Sequence, residues 1–455
     1  MDALSSYRPI SNLSFMSKII EKLIASQLVA YLDGSGHLPK FQSGFRRGHS
    51  TETAIVRLLS DVHAAMDRRE VTLLALLDVS AAFDTVDHDI LRHRLDISFG
   101  IRGRALGWLW SFISNRSHAV VINRIESSWR GIHCGVPQGS VLGPLLYILY
   151  TRDVSGIVLS ARLGVQQYAD DTQSYIHCRA KEALQAVHLI HCSLEAIHKW
   201  MSSNRLKLNP DKTQFIWLGT RFQLGEIDYR SILQHYPSLV FQKTVVDLGV
   251  TLDQQLSMSD HVGRLCRSCS YQLRRLRTVR RTLSDKAAHM LVHAFVINRL
   301  DYCNAVLLGI AKSQTDRLQR IMNSSARLLL KLPRFSHVVE PMLSNLHWLP
   351  MVHRVLFKET ILVWNCLNGR GPLYLQDLCT YVSSVPGRRH LRSADLNMMT
   401  VPHFKSAAAQ KCGFSVAGPS AWNSLSDRLR LMLGRASDEQ FKKELKTYLF
   451  RRILQ

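Results

Sequence analysis

Two adjacent aspartates, Asp170 and Asp171, have the residue type and the setting that suggest chemistry. They lie between Gln166–Gln167 and Thr172–Ile176, two short half-polar segments with the pattern of β-strands. Two like charges at the tip of a hairpin destabilise it unless a cation lies between them, and hard divalent cations prefer carboxylate oxygens. A solvated turn is the alternative, because Asp is common in turns. A third acid in the right setting would favour the metal site.

Asp78 is the best candidate for that third acid. It follows Val71–Leu77, an unbroken apolar run that predicts a strand buried on both faces. A carboxylate at the end of a buried strand must be solvated, paired or bound to a metal, because burying it bare costs too much free energy. The N-cap of a following helix is the alternative role.

Two loops have side chains suited to a phosphate-bearing ligand. Arg46 and Arg47 lie between glycines just before a predicted helix capped by Ser50 or Thr51, so they predict either a phosphate contact or an exposed basic loop. The second loop, Gly135–Ser140, precedes a helix predicted from Val141 to Tyr150 with Ser140 as its N-cap. Its glycines permit close backbone approach, and Gln138 offers both a donor and an acceptor.

A basic helix is predicted from the apolar stripe of Val262, Leu265, Cys269 and Leu276. No acid occurs between Val262 and Thr282, whereas an ordinary solvated face would interleave acids. The pattern favours contact with a phosphate backbone. The arginines predicted to make it are Arg264, Arg267, Arg274, Arg277 and Arg281.

Composition narrows the class of protein. A chain of 455 residues with 46% hydrophobic and 20% charged residues is globular and holds two or three units. The net charge of +23 favours a polyanionic partner, nucleic acid or an anionic membrane surface, over a merely basic soluble protein. Nine scattered cysteines indicate no disulfide framework, and Cys266 and Cys269 are expected to be buried thiols. With no signal peptide and no membrane-spanning run, we expect an intracellular protein, in the nucleus or the cytoplasm, without a membrane partner.

Seven segments, taken in their order along the chain, resemble the reverse-transcriptase domain of a non-LTR retrotransposon of the jockey-like LINE type. The region after Cys303, with Leu346–Pro350 and a block around Trp422, resembles the tails of such elements, and the basic stretch Pro386–His390 is a candidate linker within it. The segments that carry the resemblance are Arg8 to Leu23, Gln42 to Ile55, Leu76 to Leu91, Gly135 to Leu146, Tyr168 to Tyr175, Asn209 to Thr213 and Leu248 to Asp253.

The resemblance implies an α+β fold of the right-hand polymerase type. Residues 1–253 would form fingers and palm around an antiparallel sheet with helices, residues 254–332 a helical thumb, and residues 333–455 a mostly helical C-terminal region of unknown function. Complete elements of this type carry an endonuclease before the polymerase, which this sequence lacks, so we expect an N-terminally truncated element product or the product of a fragmentary gene.

The resemblance also implies a role for each candidate residue. Asp78, Asp170 and Asp171 match the three catalytic and metal-binding acids. The residues expected at the nucleotide are Phe83, which screens the sugar 2′ position, Gln138 in the loop beside the incoming nucleotide, Arg46 and Arg47 near the triphosphate, and Lys212 as proton donor to pyrophosphate.

The expected activity is RNA-directed DNA polymerisation, in which a primer 3′-oxygen attacks a nucleotide α-phosphorus. Two Mg²⁺ ions, with Mn²⁺ as a substitute, would stabilise the attacking and leaving oxygens. The expected partners are an RNA template, a DNA primer and dNTPs, while the oligomeric state stays open. The alternative is a catalytically inactive RNA-binding relic of a retroelement that keeps only the basic helix.

Overall fold

The computed structural model of the protein describes residues 10–384, 396–406 and 411–454. Arg8, at the start of the first matching segment, and the candidate linker Pro386–His390 lie outside the described residues.

Twelve strands occur in the described part of the chain, and four of them form the main sheet in the order β10-β1-β8-β7. The pairs β7–β8, β2–β9, β3–β6, β4–β5 and β11–β12 are antiparallel. The strands are β1 (Val71–Leu77), β2 (Val79–Ser80), β3 (Arg116–His118), β4 (Val121–Ile122), β5 (Ile125–Glu126), β6 (Arg130–Ile132), β7 (Gly164–Tyr168), β8 (Asp171–Cys178), β9 (Lys207–Leu208), β10 (Gln214–Leu218), β11 (Thr244–Asp247) and β12 (Val250–Asp253).

Helices dominate the rest of the described residues, and a π-helical segment, His293–Ile297, joins two of them. The α-helices are α1 (Phe15–Gly34), α2 (Thr51–Asp67), α3 (His88–Ile97), α4 (Gly103–Ile113), α5 (Gly143–Tyr150), α6 (Asp153–Ser160), α7 (Ala183–Ser203), α8 (Arg221–Gly225), α9 (Tyr229–His235), α10 (Ser259–Val279), α11 (Asp285–Val292), α12 (Asn298–Asp301), α13 (Lys312–Leu330), α14 (Val339–Ser344), α15 (Met351–Leu367), α16 (Leu373–Gln376), α17 (Phe414–Asn423), α18 (Asp427–Arg430) and α19 (Asp438–Leu454). Short 3₁₀ helices span Ala180–Glu182, Pro210–Lys212, Asn304–Leu307 and Val382–Ser384.

Several predicted elements have local physical causes that the structure confirms. The strand predicted at Val71–Leu77 is β1, and six of its seven residues are buried. Ser50 caps α2, where its hydroxyl accepts the Thr53 N–H while the Thr53 side chain receives the Ser50 N–H, a capping box. The arginine-rich helix is α10.

The helix after Gly135–Ser140 begins later than predicted. α5 starts at Gly143, and its N-cap is Leu142 instead of Ser140. The Ser140 hydroxyl accepts the Gly143 N–H at 2.9 Å and donates to the Pro137 carbonyl at 2.7 Å. Ser140 therefore closes a turn ahead of the helix, which lets Pro144 occupy its first turn.

The chain divides into two compact units. Unit 1 contains Met1–Arg46, Leu74–Ile176 and Gln185–Gln214. In its core, α3 packs on α5, and Leu91, Leu95, Leu146 and Leu149 are buried.

Unit 2 contains Arg47–Leu73, His177–Leu184 and Phe215–Gln455. Its aromatic core stacks Trp364 of α15 on Phe441 of α19, with ring centroids 3.8 Å apart, and Trp422 of α17 lies beside them. α10 packs on α13 in the same unit. Among the described helices, none has a run both long enough and apolar enough to cross a membrane.

Candidate active site

The two adjacent aspartates lie at the tip of the β7–β8 hairpin. Tyr168 pairs with Asp171, so Ala169 and Asp170 form the two-residue turn. Ala169 has a φ of +57°, in the left-handed region that residues with a Cβ adopt at a cost. The surrounding structure must therefore hold this turn in place.

Gln42 holds it. Its amide Nε2 donates to the Ala169 carbonyl at 3.0 Å, and its Oε1 accepts the Ala169 N–H at 2.8 Å. The same Oε1 accepts the Gly44 N–H at 2.8 Å, and Gln42 is only 1% exposed. A Cβ at Gly44 would lie 2.4 Å from the Ala169 nitrogen, so only glycine allows this close approach. Sequence reasoning missed this role, although Gln42 opens the segment that contains the two predicted arginines.

Asp78 lies between β1 and β2, at the place where the buried strand ends. Its carbonyl accepts the Asn209 N–H at 2.9 Å, and its Oδ2 lies 3.3 Å from the ammonium of Lys212. That Oδ2 is buried and accepts no hydrogen bond from any of the described residues. Because a strand and not a helix follows, the N-cap role considered for Asp78 is excluded.

The three acids act on one another electrostatically. The pKa of the Asp171 carboxyl is raised to about 6, first by loss of hydration and then by the charges of Asp170 and Asp78, while Lys212 opposes the shift. Asp171 retains solvent-exposed surface, but its surroundings still disfavour the ionised form. Burial and the same three carboxylates raise the pKa of the Tyr147 phenol. Negative charge is thus concentrated at the end of β1 and the tip of the hairpin.

This arrangement fits a divalent cation that is shared with a substrate. Within the described residues, no group of three or more His, Cys, Asp or Glu side chains is set up to hold a metal ion alone. Mg²⁺, however, is usually bound by one or two carboxylates together with substrate phosphates. A bound cation would give the buried Oδ2 of Asp78, whose ionic partner is the exposed Lys212, a closer ligand, and it would offset the burial and like charges at Asp171.

Phe83 and Gln138 lie where a turn after β2 meets the Gly135–Ser140 loop. The Phe83 ring stacks on Tyr147 of α5, with centroids 4.8 Å apart, and its carbonyl accepts the Val136 N–H at 2.8 Å. Gln138 Nε2 donates to Asp84 Oδ1 at 2.7 Å. A Cβ at Gly135, where φ is +90°, would lie 2.9 Å from the Asp84 carbonyl oxygen, so the loop requires glycine there.

A second residue that the sequence did not reveal anchors the same loop. Glu21 of α1 is 1% exposed, and its Oε2 accepts the Val141 N–H at 2.7 Å and the Leu142 N–H at 3.2 Å. A carboxylate that accepts backbone N–H groups just before a helix also complements the helix dipole. In the sequence Glu21 is one more polar position on an amphipathic helix, so no local signal indicates the contact.

The predicted basic contacts have different settings. Arg46 donates to the carbonyls of Pro39 at 2.7 Å and Gln42 at 3.2 Å, so its guanidinium braces the Gln42 segment. Arg47 is exposed and belongs to unit 2. On α10 and just after it, the five predicted arginines are exposed, and Arg264 also donates to Thr251 Oγ1 at 2.9 Å.

Comparisons with known proteins agree on one family. Residues 2–252 match the family described as reverse transcriptase (RNA-dependent DNA polymerase). The probable RNA-directed DNA polymerase from transposon BS of Drosophila melanogaster is 31% identical over 346 residues, which cover 72% of this chain and 37% of the relative. The polymerase from mobile element jockey of the same species is 30% identical over 269 residues, 58% of this chain and 28% of the relative. The chain thus spans about a third of the length of these relatives.

Among solved structures, a telomerase from Candida albicans in complex with a fragment of telomeric RNA is 14% identical. The match covers 76% of this chain and 56% of that chain, with a TM-score of 0.36. This level of similarity is too low to define the fold.

Proposed function

The chain belongs to the reverse transcriptase family, and on that premise we propose that it is the RNA-directed DNA polymerase of a non-LTR retrotransposon. The family implies a right-hand polymerase fold. Within it we assign residues 1–253 to fingers and palm, 254–332 to the thumb, and 333–455 to a C-terminal region.

One observation supports the proposal: burial first, and then the charges of Asp170 and Asp78, raise the pKa of Asp171 to about 6. Structural ion pairs usually lower the pKa of an acid, whereas like charges held together raise it. Acids kept in such a cluster serve function more often than stability. The match of the family to residues 2–252 covers all three positions.

In the proposed mechanism, Asp78 and Asp170 would hold the divalent ions and Asp171 would assist as a further ligand. When bound, Mg²⁺ supplies Lewis acidity to the attacking 3′-oxygen and the leaving phosphate oxygens. Gln42 keeps Asp170 and Asp171 at the hairpin tip through its two hydrogen bonds to Ala169. A fixed hairpin tip would in turn keep the reacting groups in a constant geometry.

Three further side chains complete the nucleotide site. Lys212, paired with Asp78 before substrate arrives, is positioned to turn to the pyrophosphate and give it a proton. Phe83 excludes the ribose 2′-hydroxyl, and its ring is braced by Tyr147. Gln138, whose Nε2 donates a hydrogen bond to Asp84, would lie beside the incoming dNTP. Of the two arginines expected near the triphosphate, Arg46 donates to backbone carbonyls of its own segment.

The proposed partners are an RNA template and a DNA primer. The two fly relatives are named RNA-directed DNA polymerases, which supports RNA as the template here. The exposed arginines of α10 would contact the template–primer backbone, as expected for a chain with a net charge of +23.

Primer extension on an RNA template with Mg²⁺ tests the proposal. The purified protein should incorporate dNTPs, and Asp170→Asn should abolish extension, because a neutral amide does not hold the ions. Asp211→Asn, an exposed aspartate beside Lys212, is the matched control and should keep activity.

RNA affinity measured on the same proteins separates the alternative. A wild-type chain that binds RNA but extends no primer would indicate an inactive RNA-binding relic. Full extension by Asp170→Asn would remove the site assignment.

A further inference from the structure

A cavity of about 340 Å³ lies in unit 2, in the part of the chain that follows the family match. The stretch Leu346–Pro350, to which the proposed polymerase site assigns no role, contributes His347 and Leu349 to its wall. Its size falls at the lower end of ligand sites in proteins, which span roughly 300–1,000 Å³. The cavity is large enough for one nucleotide and too small for a duplex.

Its charge is predominantly positive. Arg354 and Lys358 of α15 and Lys446 of α19 line the cavity, against one carboxylate, Asp301. Arg354 pairs with Asp301, and Lys358 Nζ lies 3.0 Å from Glu52 Oε2. In the described part of the chain Lys446 has no acidic partner, and partial burial and the charge of Arg354 lower the pKa of its ammonium. The site therefore has positive charge available for an anion.

Two buried polar atoms at the cavity have no hydrogen-bond partner among the residues that the structure describes. Asn304 is 2% exposed, and there its Oδ1 accepts no hydrogen bond and the Nε of Arg354 donates none. Buried polar groups are nearly always paired, so an acceptor and a donor left together point to a missing ligand or water. A ligand that meets both needs must present an oxygen that accepts and a hydroxyl that donates. A ribose with its phosphate has both groups.

An aromatic side chain adds a surface for a base. Phe357 lines the cavity and is half-buried, one turn from Arg354 on α15. Bases of single-stranded nucleic acids stack on aromatic rings next to basic groups, without dependence on sequence.

We propose that this cavity binds one nucleotide of single-stranded RNA. Lys446 and Arg354 contact the phosphate, Phe357 stacks on the base, and Asn304 Oδ1, after a small rotation of its amide, accepts from the 2′-hydroxyl. The site lies outside the polymerase acids and gives the C-terminal region a role of its own in holding RNA. It does not depend on the proposed catalysis.

Equilibrium binding to the full chain tests this site. The protein carries Asp170→Asn throughout, so that the result is independent of polymerase activity. The probes are fluorescent single-stranded RNA and DNA of one sequence, about ten nucleotides long. Lys446→Gln should weaken RNA binding about fivefold at 0.1 M salt and reduce the slope of log K against log salt by about 0.7, the loss of one phosphate contact. Asn304→Ala should weaken RNA binding but not DNA binding.

Lys443→Gln is the matched control, because Lys443 is exposed on α19 and does not line the cavity. It should leave RNA affinity nearly unchanged. Equal losses in Lys443→Gln and Lys446→Gln would mean a general basic surface and would overturn the proposal. Unchanged RNA binding in Lys446→Gln would overturn it as well. So would a variant that keeps its affinity for RNA and loses only its affinity for free adenosine monophosphate, added as a competitor.

Discussion

At the level of single residues, Gln42 shows how a side chain outside the proposed metal site holds the hairpin tip that carries Asp170 and Asp171. Its side-chain amide hydrogen-bonds to both the N–H and the carbonyl of Ala169. An alanine in a left-handed backbone conformation needs such support. Glutamine suits this position because one side chain offers a donor and an acceptor.

Gln42→Ala should lower kcat about 100-fold with little change in KM for dNTPs, because a shift of the hairpin tip by about 1 Å misplaces two acids. Gln42→Glu keeps the acceptor and loses the donor, so its kcat should lie between those of the wild type and Gln42→Ala. Steady-state primer extension measures both constants. A rise in KM for dNTPs of similar size, without loss of kcat, would mean that Gln42 serves substrate binding instead.

Phe83 is the residue expected to select the sugar. Phe83→Val should raise ribonucleotide incorporation about tenfold or more, since rejection by steric clash depends on bulk. Deoxynucleotide use should fall less, because only an apolar contact of about 1–3 kcal/mol is removed.

Phe83→Tyr keeps the bulk of the ring and should keep the discrimination. Incorporation of both nucleotide types is measured on each purified variant. Because Phe83 also stacks on Tyr147, its ring could serve packing alone. Equal losses with both nucleotide types would show that it does.

At the level of elements, α10 presents one buried face and one arginine face. Leu273 and Leu276 are buried, whereas Arg274 and Arg277 are exposed. Arg280 differs from its neighbours because it is buried and donates to the Leu328 and Leu329 carbonyls and to Asp285. The basic face is therefore free to meet phosphates, while Arg280 joins α10 to the end of α13.

Replacing Arg274 and Arg277 together by alanine should weaken nucleic-acid binding similarly for all sequences. The salt slope for a duplex should fall by about 0.9 for each lost phosphate contact. The double lysine variant retains the charge and should retain the slope. A changed sequence preference with an unchanged slope would mean that the helix reads bases.

At the level of the whole molecule, residues far apart in sequence build unit 2 together. The Tyr374 hydroxyl and Thr53 Oγ1 of α2 lie 3.1 Å apart, and the backbone N–H of Ser415 donates to Ser60 Oγ of the same helix. Glu359 of α15 is buried nearby, and burial and the charge of Glu52 raise its pKa to about 8.

Glu359 should make the stability of the protein depend on pH. Between its unfolded pKa near 4.5 and its folded pKa near 8, the folded chain keeps a proton that the unfolded chain has lost. The free energy of unfolding should therefore fall as pH rises through this range. Glu359→Gln removes the effect, so its Tm should exceed that of the wild type at about pH 8 and converge with it at about pH 5.

The exposed Glu226 offers the control, and Glu226→Gln should follow the wild type at both pH values. Thermal melts across the range measure this. A difference in Tm between Glu359→Gln and the wild type that does not change with pH would contradict the buried-proton argument.

The sequence by itself determined the elements whose causes are local. An unbroken apolar run made β1, a serine cap with its reciprocal partner began α2, and a stripe of apolar residues made α10. It also pointed to Asp78, Asp170 and Asp171, because adjacent acids at a hairpin tip and an acid ending a buried strand are visible in a few residues. The order of these motifs was enough to suggest the family that the chain matches.

Only the tertiary structure decided what holds those acids and what else the chain can bind. Gln42 hydrogen-bonds to Ala169, 127 residues away in sequence, and Glu21 to Val141, 120 residues away. Asn304 and Lys446 line the same cavity. Such contacts leave no periodicity in the sequence. In the sequence, a solvated glutamine or glutamate cannot be distinguished from one that is the buried hydrogen-bond partner of a distant backbone group. Only folding brings the side chain and that backbone group within hydrogen-bond distance.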